Sequence, residues 1–288
     1  MQNPERRATP AIVFDSSIED GIGQVLALTQ ILSYHSKQEA RVISLSTSRN
    51  SLKTASFCDL MGRFFGASLS IGMAVTVPPS ASVHPMVSAV LTKATPEGKP
   101  AYNRVVEKLN DTADPVALIR NALTAQQDQN AVVVLAGSPL NLLGLLALPE
   151  GKKLVQKKVR SLVLTGPFDA KLLAEWPSPA ILVSEELGQS LPFPGISIAE
   201  DFAWAANHPL VDAYRAAGTM PYDVPSTAMA AVLYAAHPEE TYFKLSEPQG
   251  RQRHLIADAS QKDRIVQAYR QAVSAKPPEP RRGGRGPA

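Results

Sequence analysis

The feature that most constrains this chain is a strand, a polar turn and a helix in immediate succession at residues 11–28, AIVFDSSIEDGIGQVLAL. Residues 11–14 are a short apolar run of the kind buried in a parallel sheet, and the run stops at Asp15-Ser16-Ser17. After Gly21 and Gly23, the residues Ile22, Val25, Leu26, Thr29 and Leu32 recur at helical spacing. This order sets the polar turn at the C-terminal end of a strand, the edge at which open α/β sheets bind ligands. Ser16 or Ser17 is expected to cap the helix, and Glu19 or Asp20 in its first turn suits the positive end of the helix dipole.

The same alternation continues down the chain. Strands are expected at residues 40–46 (ARVISLS), 68–75, 131–136 (AVVVLA), 161–165 (SLVLT) and 180–184. Helices are expected at 50–65, 86–92, 115–127, 152–160, 208–215, 225–236 and 263–275. Helices and strands alternating at this spacing predict an α/β fold, a single-domain, open, mostly parallel sheet with helices on both faces. At 288 residues, 44% of them apolar, the chain is long enough to bury one large core. That domain is expected over residues 11–275, after an N-terminal extension at 1–10 and before a disordered, basic, Pro/Gly-rich tail at 276–288.

Composition removes several function classes. Cys58 is the single cysteine, so neither an internal disulfide nor a cysteine-built zinc site is available, and it reads as a small buried hydrophobe. The net charge of +3 equals that of the tail, where Lys276, Arg281, Arg282 and Arg285 face Glu279, leaving the rest near neutral. No nucleic-acid partner is therefore expected. No apolar run approaches membrane-spanning length, and the polar opening MQNPERRATP lacks the pattern of a secretory signal. A cytoplasmic protein without a membrane partner is expected. The basic stretch at 152–160 (KKLVQKKVR, in the order given from Lys152) reads as a solvated helix face, His84 as a surface histidine, and Glu185-Glu186 as one buried partner beside one solvated charge.

The first strand and turn also resemble the opening of the inosine–uridine-preferring nucleoside hydrolases, in the variant D-T-D-M-G-N-D-V-D-D-A-L-A-L. Asp15 falls on the first aspartate, and Val25-Leu26-Ala27-Leu28 on the closing A-L-A-L. Further landmarks follow in order. Residues 137–142 (GSPLNL) resemble G-P-L-T-N-L, residues 191–195 repeat L-P-F-P-G, and residues 242–248 (YFKLSEP) resemble Y-F-x-L-S-x-P. The likeness runs from residue 11 to about residue 270. It implies the family's fold, hydrolysis of the N-glycosidic bond of ribonucleosides, a calcium cofactor, a small-molecule ligand (a nucleoside or other glycoside) and a homo-oligomer.

Carried over residue by residue, the resemblance assigns a metal set of Asp15, the Leu140 backbone carbonyl and Asp223. It places Asn50 and Asn141 at the substrate, and Tyr222 where some members carry a histidine that protonates the leaving base. The departures are as specific. Ser17 replaces the second aspartate, which in the family is both calcium ligand and general base, and Gly23 and Gln24 replace the closing aspartate pair. The family's segment with E-x-N and D-P-E-A-A, which holds the ribose hydroxyls, is missing after Phe168. Glu19 and Asp20 are the carboxylates that remain near the turn, and they are the candidate catalytic groups beside Tyr222. Read without the family, Asn50 and Asp223 are helix N-caps. Two functions therefore compete: a hydrolase whose eroded calcium and general-base motif leaves activity weak or lost, and a non-catalytic relative that binds a small ligand or a protein.

Overall fold

The apolar runs become strands covered on both sides. The computed structural model describes residues 9–80 and 82–278. Its strands are β1 (Ala11–Ser16), β2 (Arg41–Thr47), β3 (Ile71–Met73), β4 (Ala131–Ala136), β5 (Val159–Thr165), β6 (Ala180–Val183), β7 (Phe243–Leu245) and β8 (Gln252–Ala257). They form one sheet in the order β3-β2-β1-β4-β5-β6-β8-β7, parallel throughout except for β7, which runs antiparallel to β8 at the edge. The helices are α1 (Ile22–Ser36), α2 (Leu52–Phe64), α3 (Pro85–Thr92), α4 (Pro115–Thr124), α5 (Leu140–Ala147) and α6 (Gly151–Lys158). They continue as α7 (Ala170–Glu175), α8 (Glu185–Ser190), α9 (Ser197–Glu200), α10 (Pro209–Ala217), α11 (Thr227–Ala236) and α12 (Lys262–Val273).

Side-chain alternation divides the core in two. Ile12 and Phe14 of β1, with Val132 and Val134 of β4, join the larger cluster that also takes in α1, α2, α11 and α12. Val13, Val133 and Leu135 face the other way, into a cluster shared with α4, α5 and α6. Strands buried on both faces need apolar residues at successive positions, which is why they read as unbroken hydrophobic runs. Cys58 is buried in α2, as its composition reading expects. Among the described residues no helix is long and apolar enough to cross a membrane.

Three local expectations are corrected. The basic stretch ends its helix at Lys158, and Val159-Arg160 already belong to β5. The hairpin β7–β8 was not expected as strands, because half-exposed edge positions such as Gln252, Arg253 and His254 dilute the alternation. Neither Ser16 nor Ser17 caps α1: Gly21 stands at the N-cap, and the two serine hydroxyls turn to other partners. Most of the expected extension and tail, residues 1–8 and 279–288, lies outside the described residues.

Candidate functional site

β1 sits between β2 and β4, so the chain leaves it on one side and returns on the other. Strand order reverses there, and the polypeptide after each C-terminal strand end must part to either face, which opens a crevice. Ser17, Ser48, Gly137-Ser138, Gly166 and Glu185 follow β1, β2, β4, β5 and β6, and all border one cleft of about 920 Å³. A second lobe of about 480 Å³ shares Asp20, Gln24, Gly166 and Glu185 with it and continues to Tyr222 and Asp223.

The floor of the cleft is built of hydroxyls. Ser17 Oγ lies 2.9 Å from Ser48 Oγ and accepts the Ser138 backbone N–H at 3.3 Å. The Ser17 N–H donates to the Ala136 carbonyl at 3.1 Å. This close approach requires a glycine at residue 137, since a Cβ there would stand 2.4 Å from both the amide nitrogen and the hydroxyl of Ser17. On the rim Arg49 pairs with Asp20, while the Arg49 Nε is buried without a partner. Asn50 also borders the cleft. Its amide donates to the Val77 carbonyl at 2.9 Å and ties down the loop that forms one wall. It is not the helix cap, because Ser51 accepts the Thr54 N–H at the start of α2.

Asp15 lies beneath this floor rather than in it. It has the strand parity of Val13, so its carboxylate points to the α5 face, where Asn141 Nδ2 donates to Oδ1 at 3.1 Å. Both residues are buried, neither borders the cleft, and Asp15 Oδ2 has no partner. Burial pushes the Asp15 carboxyl up to about 7, against the smaller opposing effect of the Asn141 amide. Leu140 is the first residue of α5, so its carbonyl points along the helix, away from the cleft, and its side chain is exposed.

The other carboxylates are engaged. Glu19 accepts hydrogen bonds from Ser51 Oγ at 3.0 Å, from Thr54 Oγ1 and from the His84 N–H at 3.4 Å, and so joins the turn after β1 to α2 and α3. Asp223 borders the second lobe and accepts the Gly195 N–H at 2.9 Å, while Ser226 is the residue at the N-cap of α11. Tyr222 borders the same lobe, but its hydroxyl donates to the Tyr214 carbonyl at 2.6 Å, and the Tyr214 hydroxyl returns the same bond to Tyr222. The two rings stack with centroids 4.5 Å apart, and burial pushes the Tyr222 phenol up to about 12.

The fold thus brings Asp20 and Asn50 together in the cleft and Tyr222 and Asp223 in the lobe beside it, with Asp15, Asn141, Leu140 and Glu19 outside both. Among the described residues no group of three or more His, Cys, Asp or Glu side chains is arranged to hold a metal ion. Ser48, Arg49 and Ser138 escaped the sequence reading. Each is a polar residue just past the end of an apolar run, the position that faces the cleft in this kind of sheet. Glu185 and Glu186 are both exposed at the start of α8, so neither is the buried partner expected of the pair. Glu185 borders both lobes.

No protein-family model and no curated protein match the chain. Solved structures do. A plant nucleoside hydrolase, PpNRh1, aligns over 93% of this chain and 99% of its own at 11% identity and a TM-score of 0.65. The inosine-uridine preferring nucleoside hydrolase of Bacillus anthracis aligns over 92% and 99% at 12% identity and a TM-score of 0.63. The type III effector protein XopQ, solved in complex with adenosine diphosphate ribose, aligns over 93% of each chain at 11% identity and a TM-score of 0.64. From β1 to α12, therefore, this chain has the fold of the nucleoside hydrolases.

Proposed function

We propose that this protein binds a ribose-containing small molecule in the cleft at the end of β1 and does not hydrolyse it by a calcium-dependent route. The observation that carries the reading is Ser17. At the position where the resembling family needs a water-activating carboxylate, this chain has a hydroxyl already bonded to Ser48 and to the Ser138 N–H. A hydroxyl does not take a proton from water at neutral pH, and the carboxylates that the family resemblance and the turn supply are each held by another partner. Asp15 is bonded to Asn141 under the floor, Glu19 to Ser51 and Thr54, Asp20 to Arg49, and Asp223 to the Gly195 N–H. Calcium takes about six to eight oxygen ligands, and a donor set dispersed in this way does not fit it.

Binding is favoured by what remains. The cleft falls in the range of about 300–1,000 Å³ typical of metabolite pockets, and its serine hydroxyls and the Arg49 guanidinium suit sugar hydroxyls and an attached anionic group. A structural neighbour solved with adenosine diphosphate ribose supports that ligand class. The test is calorimetry on chelator-treated protein with calcium, inosine and adenosine diphosphate ribose in turn, and chromatography of the mixtures for released base. The reading expects no heat from millimolar calcium, ligand binding unchanged by chelator, and no base released. Tight calcium binding with base release would overturn it. Base release without calcium would instead point to Glu185, a cleft carboxylate with no hydrogen-bond or ion-pair partner among the described residues, and Glu185→Gln would then abolish it.

A further inference from the structure

A second cavity, of about 500 Å³, opens at the opposite, N-terminal edge of the sheet. It lies between the C-terminal end of α11 and the starts of β5, β6 and β8, and three arginines line it: Arg160, Arg251 and Arg253. Strand geometry brings them together. Ala131 pairs with Val159 and Val132 with Ser161, so Arg160 is the extra residue of a register shift, a device that re-aims a side chain. Arg253 is paired with Ile181 of β6, and the Arg251 carbonyl accepts the Ala180 N–H at 2.8 Å. Arg160 at the start of β5 and Arg251 and Arg253 at the start of β8 therefore flank β6 at the N-terminal edge of the sheet.

Their lack of partners is the second observation. Among the described residues none of the three guanidiniums makes an ion pair or hydrogen bond, whereas Arg63, Arg264 and Arg270 each meet a carboxylate. Arg253 Nε is buried with nothing to receive its proton. A buried donor left unpaired costs about 1–3 kcal/mol, more when charged, which an anion in the cavity would offset. Glu239 lines the same cavity, so three positive charges there outnumber one negative. The rest of the wall is largely apolar, with the Tyr234 ring and Leu245.

We propose that this cavity is a binding site for a phosphate ester carrying an aromatic or apolar group, separate from the cleft. The planar fork of arginine matches phosphate oxygens two at a time, and three forks suit a dianion better than a monoanion. Tyr234 offers a face for the ester's body. The sites sit at opposite ends of α11: Thr227 and Ala228 border the second lobe of the cleft, and Tyr234 and Ala235 border this cavity, about 10 Å further along the helix.

The test is calorimetric titration of the full chain with phenyl phosphate at low salt, with phenol as the uncharged control. One site is expected, silent to phenol and weakened at least tenfold by Arg253→Met. The double variant Arg160→Gln/Arg251→Gln, which alters exposed residues and leaves the strands paired, is expected to weaken it similarly. Arg49→Gln, in the cleft, is expected to leave this affinity unchanged. Absence of heat at millimolar phenyl phosphate, or an affinity that falls with Arg49→Gln and not with the double variant, overturns the proposal.

Discussion

Replacing Asp15 by asparagine tests how this protein carries a carboxyl group in the middle of its sheet. Asp15 is fully buried, holds one hydrogen bond from Asn141, and has its carboxyl raised from an ordinary 3.8 to about 7 by burial. Between those values the native state keeps a proton that the unfolded chain has released. Stability contributed by the protonated group is therefore complete below about 3.8, declines as pH rises, and is lost above about 7. At about 1.4 kcal/mol per pH unit, this one group removes about 3 kcal/mol between pH 5 and pH 8. The introduced amide keeps an acceptor for Asn141 and has no charge to desolvate, so the variant escapes the loss. The wild-type pH profile alone will not reveal it, because His208 acts in the opposite sense. Burial lowers that imidazole to about 3, so stability rises with pH between there and its ordinary 6.5. The difference between the two proteins cancels His208. Urea unfolding of wild type and Asp15→Asn at pH 5 and pH 8, with chelator present, should show the variant gaining about 3 kcal/mol relative to wild type over that interval. Parallel profiles, or a change in the opposite direction, would refute the argument that burial dominates at Asp15.

Tyr222→Phe removes the bond to the Tyr214 carbonyl and should cost about 1–2 kcal/mol in urea unfolding while leaving ligand affinity in the cleft unchanged. A large loss of binding or turnover would restore the phenol as a site group. Gly137→Ala drives a methyl into Ser17 and should destabilise by about 1–3 kcal/mol. Because the displaced residue is the cleft floor, the same variant should bind adenosine diphosphate ribose more weakly by calorimetry, and unchanged affinity would remove Ser17 from the ligand's surroundings.

Much of the fold was legible because its central strands are buried on both faces. Runs such as residues 131–136 leave no polar position for an alternative, and β4 occupies that span without change. Edge elements were not legible in the same way. β8 pairs with β6 on one side and with the short β7 on the other, and its half-buried positions carry Gln252, Arg253 and His254, so no hydrophobic period marks it. Roles that depend on side-chain direction were the least legible. Asn50 and Asp223 both have the local pattern of a cap, yet Asn50 donates to the 75–77 loop and Asp223 accepts from the Gly195 N–H, each a segment distant in sequence.

By itself, the sequence determined the parallel α/β framework, the switch-point turn after β1 and the replacement of a carboxylate by the hydroxyl of Ser17, since these follow from residue type and local period. Tertiary structure alone decided which polar groups reach the cleft. Asp15 and Ser17 are two residues apart, yet one lies under α5 and the other on the floor, because the strand ends between them and its alternation no longer applies. It also decided that Arg160, Arg251 and Arg253, dispersed over nearly a hundred positions, share one cavity, since only the hydrogen-bonded order β5-β6-β8 brings the starts of β5 and β8 to either side of β6.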